Sequence, residues 1–247
     1  FFKGRIEKSL HMAADFLCRH DETHGHIANH LAGAVLGLFM CSDFFGEQKY
    51  EQRAATLMSA LLRHQSSEGW FLEYEGADPG YQTLCLHHLA QVYRLRPTDE
   101  LYDALHRAIQ FISWFVHPDG TFGGTYGSRR TAVYYPGGVA EVSSLFPIAL
   151  SITHFMVHSM AKGHTVNITD MDMGNLAPLL SNYIRLLDTL PPATNEPLPP
   201  LPWEHEEMDS DFKEAGLYIC GKAKYYAIIG AGNGGVLKVF DKEKEAI

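Results

Sequence analysis

Residues 225–241 read YYAIIGAGNGGVLKVFD, and the fold of the chain turns on how they are read. Within them GAGNGG (230–235) spells GxGxxG, with Gly230, Gly232 and Gly235 in the marked places. A dinucleotide-binding turn needs a strand before it, a helix after it and an acidic residue about 20 positions on. KYYAII (224–229) supplies a strand, but VLKVFD (236–241) alternates apolar and polar residues as a second strand does. The glycines therefore predict a tight antiparallel connection, and a nucleotide site drops out.

Working back from this stretch, FKEAGLYICGKA (212–223) carries β-branched and aromatic runs broken by Gly-Lys, so two or three antiparallel strands are expected after residue 204. About 45 residues are too few for a full sandwich of roughly 100. Residues 204–247 therefore look like the start of a truncated β-sandwich-like domain, completed by further chain or by a second chain. Ahead of it, LPPATNEPLPPLPWE (190–204) holds six prolines, which cannot continue a helix and predict a stiff linker over 191–203.

Residues 1–190 have a different periodicity. Ile6, Leu10, Ala13, Ala14 and Leu17 recur at helical spacing, and IANHLAGAVLGLFMC (27–41) reads as a helix buried on most sides. Helical spacing returns near 48–64, 80–93, 99–116, 139–162 and 173–189, giving some seven helices. Two of the intervening loops, HQSSEGWFLEYEGADPGY (64–81) and HPDGTFGGTYGSRRTAVYYPGG (117–138), are alike: each follows a helix, turns on small polar residues and runs through glycines and aromatics into another helix. Repeated helical hairpins stack or close around an axis. The expected fold is mainly α, an α/α toroid or incomplete barrel of hairpins, followed by a short antiparallel β segment. Long loops at one end would line its cleft.

The 247 residues carry 46% hydrophobic and 20% charged residues, the composition of a soluble globular protein. A net charge of −9 without a long basic run argues against nucleic acid as a partner. No run approaches the roughly 18 apolar residues of a membrane span, and FFKGRIEKSL (1–10) lacks a signal peptide's apolar core. Neither a membrane partner nor a leader is expected in this chain. Cys18, Cys41, Cys85 and Cys220 lack CxxC spacing and read as core thiols. No metal and no cofactor is expected.

Three clusters could carry chemistry. HDETHGHIANH (20–30) ends in Asn29 and His30, at the start of the buried helix. WFLEYEGADPGYQTLCLHH (70–88) places Glu73, Glu75 and Asp78 ahead of a helix starting near Pro79, with Tyr81 in its first turn and His88 two turns on. GGTYGSRRTAVYYPGG (123–138) sets Arg129 and Arg130 among tyrosines. Guanidinium grips a carboxylate bidentately, and tyrosine faces stack on sugars.

With NH at 29–30, ADPGYQTL at 77–84 and EAGLYICGKAKYYAIIGAGNGGVLKVFD at 214–241, most of the chain resembles polysaccharide lyases of the heparinase II/III and alginate-lyase type, an α/α toroid followed by a β-sandwich. The resemblance implies β-elimination on a uronic-acid-containing polysaccharide, and a periplasmic or secreted setting. By position it makes Asn29 and His30 the groups that neutralise the uronate carboxylate and Tyr81 the acid-base. Arg129, Tyr126, Trp70, Glu73 and His88 are the expected substrate-binding residues, Arg129 on the reading of its loop alone. Two alternatives stay open: an α/α-toroid glycoside hydrolase, for which Glu73, Glu75, Asp78, Asp119 and Glu141 supply carboxylates, and a non-catalytic glycan-binding or scaffold protein.

Overall fold

The structure is a computed structural model that describes residues 2–166, 168–192, 197–232 and 234–243. Among them eight α-helices precede four strands: α1 (Phe2–Arg19), α2 (Ala28–Phe45), α3 (Gln48–Arg63), α4 (Pro79–Leu95), α5 (Asp99–Ser113), α6 (Pro136–Glu141), α7 (Pro147–Lys162), α8 (Met173–Thr189), then β1 (Met208–Phe212), β2 (Leu217–Lys222), β3 (Tyr225–Gly230) and β4 (Val236–Asp241). The mainly helical reading with a short antiparallel tail holds.

Two counts change. The segment expected as one helix over 139–162 is two, because Pro147 has no N–H to donate and disfavours helical geometry at the residue before it. The β segment has four strands rather than two or three. MDSDF (208–212) was hidden because Asp209 and Asp211 point outward and Phe212 alone is fully buried.

The helices form two layers. In one, α2 packs on α4, α4 on α6 and α6 on α8; in the other, α1 packs on α3 and α5 on α7, with the hairpins α2/α3, α4/α5 and α6/α7 joining the layers. Connections alternate in length: 46–47, 96–98 and 142–146 are short, whereas 20–27, 64–78, 114–135 and 163–172 are long. Every long connection thus enters a helix of the first layer. α2 has the length and mean hydropathy of a membrane-spanning helix. It is packed against α1, α3 and α4, and Ala28, Ala32, Val35 and Leu38 are wholly buried there.

Local chemistry sets the ends. Asp78 caps α4 by accepting from Tyr81 N (3.0 Å), and Pro79 occupies the first position, where no N–H is needed. Thr98 caps α5 by accepting from Leu101 N at 3.2 Å. α4 and α6 meet so closely that a Cβ on Gly138 would lie 2.4 Å from His87 Cα.

The strands form an antiparallel meander in the order β1-β2-β3-β4. Pairs such as Phe212↔Leu217, Ile219↔Ile228 and Tyr226↔Phe240 put one apolar face inward. That face docks on α5 and the loop after it: Phe212 lies 5.1 Å from Phe111 and 6.0 Å from Phe115, and Phe240 stacks on His117 at 4.3 Å between ring centroids. The Tyr226 hydroxyl donates to the Trp114 carbonyl. Helices and sheet share one core cluster. GAGNGG is the β3–β4 connection, in which Gly234 (φ 89°) and Gly235 (φ 84°) take left-handed backbone, while Gly230 has a Tyr126 Cβ 3.2 Å from where its own would stand. Asn233 lies outside the described residues.

Candidate functional site

The long loops are sewn together at one end of the helical layer. Loop 20–27 joins loop 64–78 through a bridge between Ile27 and Glu73, with Ala28 N donating to Leu72 O (3.1 Å) and Tyr74 N to His26 O (3.0 Å). Loop 64–78 joins loop 114–135 through Ser128 N on Ala77 O (2.9 Å) and Ser128 Oγ on Glu73 O (3.0 Å). Asp78 is the rivet. One oxygen caps α4, and the other accepts from Arg129 N (2.9 Å) and Thr131 N (3.3 Å). Gly127 is required beside it, since a Cβ there would stand 2.6 Å from that carboxylate.

Between these loops and the sheet lies a cleft of about 410 Å³, walled by Tyr74, Gly76, Tyr126, Ser128 and Arg129 on the helical side and by Ala215 and Gly232, in the β1–β2 and β3–β4 turns, on the other. The Arg129 guanidinium sits over the Tyr74 ring, 4.1 Å from its centroid. Tyr74 (φ 62°) and Arg130 (φ 57°) are the non-glycine residues with left-handed backbone among the described residues. Such strain persists where surrounding structure holds it, and it collects at functional sites. Tyr74 is one half of the stack, and Arg130 follows Arg129, the other half.

The expected residues divide in two. Arg129 and Tyr126 line the cleft. Asn29 and Glu73 are buried and outside its lining, with Asn29 N donating to Glu73 Oε1 and Asn29 Nδ2 to Glu73 Oε2, each at 2.8 Å, while Glu73 precedes the wall residue Tyr74 and its carbonyl accepts from Ser128 Oγ. Tyr81 is half-buried beside them, against Leu84, Tyr135 and Leu179. The structure does not bring in the other three. His30 is exposed and its Nδ1 lies 2.7 Å from Glu22 Oε2, in a separate hollow with Phe16, Leu31 and Arg53. Trp70 is buried, donating to Glu68 Oε2 at 3.0 Å. Glu68 in turn accepts from Glu214 N and Ala215 N, so Trp70 belongs to the seam with the sheet. His88 packs at the α2–α4 contact, 3.4 Å from where a Cβ on Gly33 would be.

Tyr126 is fixed by a relay. Thr121 Oγ1 donates to Asp119 Oδ1 (2.6 Å), so it accepts from His117 Nδ1 (2.8 Å), which leaves His117 Nε2 to accept the Tyr126 hydroxyl (2.8 Å). Tyr74, Asp78 and Ser128 were not assigned to the site from sequence. Asp78 carried a signal, its cap position; the left-handed backbone of Tyr74 carries none.

The electrostatics follow from burial. Desolvation pushes the Glu73 carboxyl up to about 8 despite its two bonds from Asn29. Asp78 is raised for the same reason, against the backbone donors that it accepts. Burial raises the Tyr81 hydroxyl, and Arg129 pulls it back. His88 is pushed down to about 4 by burial alone. Among the described residues no group of three or more His, Cys, Asp or Glu side chains could hold a metal ion. The cleft offers one guanidinium, the Glu75 carboxylate, phenols, a hydroxyl and backbone groups, a set suited to a hydroxyl-rich ligand.

No curated protein matches the chain. Residues 2–140, which include α1 to α5, the three sewn loops and most of α6, match the ulvan lyase N-terminal domain. The match spans more than half of the 247 residues and takes in every helical-side wall of the cleft, so the chain belongs to the ulvan lyase N-terminal domain family, a family of polysaccharide lyases.

Proposed function

We propose that the chain acts on a uronate-containing polysaccharide by β-elimination in the cleft at the loop end of the helices. The observation that carries this reading is the position of Arg129, stacked on Tyr74 within the cleft. Elimination removes the proton at C5, forms the C4–C5 double bond and breaks the C4–O bond. The adjacent carboxylate must be neutralised, because charge builds beside it in the transition state. In this reading Arg129 holds the carboxylate and Asn29, oriented by Glu73, is the second donor. Tyr81 as phenolate takes the C5 proton, and the phenol returns it to the leaving oxygen. Burial raises the Tyr81 hydroxyl, and the charge of Arg129 offsets part of that rise in favour of the phenolate. His30, turned toward Glu22, is not needed.

The fate of the carboxylates favours this over hydrolysis, which needs two carboxyl groups flanking the bond. Glu73 and Asp78 are buried and spent on Asn29 and on backbone donors. Asp119 closes its own turn onto Thr121, and Glu141 pairs with Arg94 and Arg185. Of the five candidates, Glu75 lines the cleft.

The test is incubation with ulvan, alginate and heparan-type polymers, following ultraviolet-absorbing unsaturated ends. Appearance of such ends with one polymer, and their loss in Arg129→Ala and Tyr81→Phe, is the expected result. Saturated reducing ends, or full activity in both variants, would overturn the reading.

A further inference from the structure

A lysine stands on the inward face of the sheet. In β4, Leu237 and Val239 are exposed, whereas Val236, Lys238 and Phe240 turn inward, and Lys238 lies opposite the wholly buried Ile228 of β3. An apolar residue suits that place better: burial pushes the Lys238 ammonium down from its ordinary value, and Asp119 offsets part of this. Among the described residues no carboxylate pairs with it, and the acceptor it reaches is the Gly123 carbonyl, at 3.4 Å. A half-buried ammonium with so little compensation weakens folding. Its surroundings are nevertheless shaped to it. The Nζ lies 5.6 Å from the centre of the Tyr126 ring, within the range of a cation–π contact. Gly124 leaves the space, since a Cβ there would stand 2.8 Å from that nitrogen. Two residues further along β4, Phe240 stacks on His117, whose Nε2 accepts the Tyr126 hydroxyl. β4 thus addresses Tyr126, a residue of the cleft wall, at its ring and, through His117, at its hydroxyl.

We propose that Lys238 is a positioning residue for the cleft: its ammonium, seated between the Gly123–Gly124 turn and the Tyr126 ring, holds that ring in the cleft wall. A strand outside the stretch matched by the family's helical domain would then complete the ligand site. This rests on the cleft being the polysaccharide site proposed above. An apolar side chain at 238 would suit the sheet but would release both the ring and the Gly123 carbonyl. The turn between them would be left to its backbone bonds, Gly124 N on Thr131 O (2.9 Å) and Gly127 N on Gly124 O (3.0 Å). A tyrosine in the wall binds a sugar and takes no part in moving its protons, so a displaced Tyr126 weakens binding more than turnover.

The experiment compares Lys238→Met with the native full chain by melting temperature, by amide hydrogen exchange over residues 120–132, and by kcat and KM on the polymer that the native chain cleaves. The variant is expected to melt at or above the native temperature, because it removes a desolvated charge. The amides of Gly124 and Gly127 should exchange faster than in the native chain, and KM should rise about tenfold with kcat less affected. A lower melting temperature would make Lys238 a folding residue and overturns the inference. So does native exchange in the turn, and so does a native KM. Failure of the cleft reading is told apart by Arg129→Ala, which would then cleave as the native chain does; the melting and exchange comparison still decides whether Lys238 holds the turn.

Discussion

Both oxygens of the buried Glu73 carboxylate accept from one residue, Asn29, through its backbone N–H and its side-chain amide. The pair joins the first turn of α2 to the loop ahead of α4, and it fixes the buried amide of Asn29. Because the folded carboxyl titrates at about 8 rather than 4.5, the folded state holds a proton that the unfolded chain has released. Stability therefore falls as pH rises from about 4.5 to about 8 and then levels, by up to about 5 kcal/mol. Glu73→Gln, an isostere of the protonated acid, is expected to flatten that slope in urea titrations at pH 5, 6.5 and 8. An unchanged slope would place the titration elsewhere.

Asp78 ties three backbone N–H groups, one in the first turn of α4 and two in loop 114–135. Asp78→Ala leaves these donors unpaired in a buried place and is expected to cost about 3 kcal/mol in denaturant unfolding. Asp78→Asn keeps one acceptor oxygen and should lose about half of that.

Arg129→Ala should lower kcat/KM by about 10²–10³-fold, the cost of removing one donor to developing charge. Arg129→Lys should recover part of this, because a point charge replaces the planar fork. Circular dichroism should be unchanged, since the exposed Arg129 side chain stacks on Tyr74 and the loop is held by its backbone N–H on Asp78.

Gly138→Ala tests the first helical layer. The added methyl would meet His87 Cα at 2.4 Å, a backbone atom that cannot rotate away, so α6 must move off α4. A loss of about 3 kcal/mol, visible as a lower melting temperature, is expected.

Much of this architecture is written in periodicity. The apolar spacing in α1 to α5 and the alternation in VLKVFD are local signals, and the elements appear where they predict. The break before Pro147 divides the helix expected over 139–162, and its signal is the restriction that proline places on the residue before it rather than any change in periodicity. β1 was not, because an edge strand with outward aspartates carries little apolar signal. At the site, Arg129 and Tyr126 were legible as residue types suited to a glycan and do line the cleft. Asn29 and His30 looked like a pair because they are adjacent, but adjacent helical residues point about 100° apart. Asn29 accordingly turns to Glu73 and His30 to Glu22. Tyr74 reaches the cleft through a left-handed backbone that only the assembled loops impose.

The aromatic contact between the sheet and α5 bears on how the molecule comes apart. Phe111, Phe115, Phe212, Tyr226 and Phe240 belong to one continuous cluster, although a proline-rich stretch separates the two regions in sequence. Losing the strands would uncover rings on the helical side, and among the described residues the inner face of the strands is buried on α5 and the loop after it. Unfolding should accordingly be a single cooperative event, with calorimetric and van't Hoff enthalpies in agreement. Cutting the chain within the prolines should yield two fragments that remain associated rather than two that fold apart.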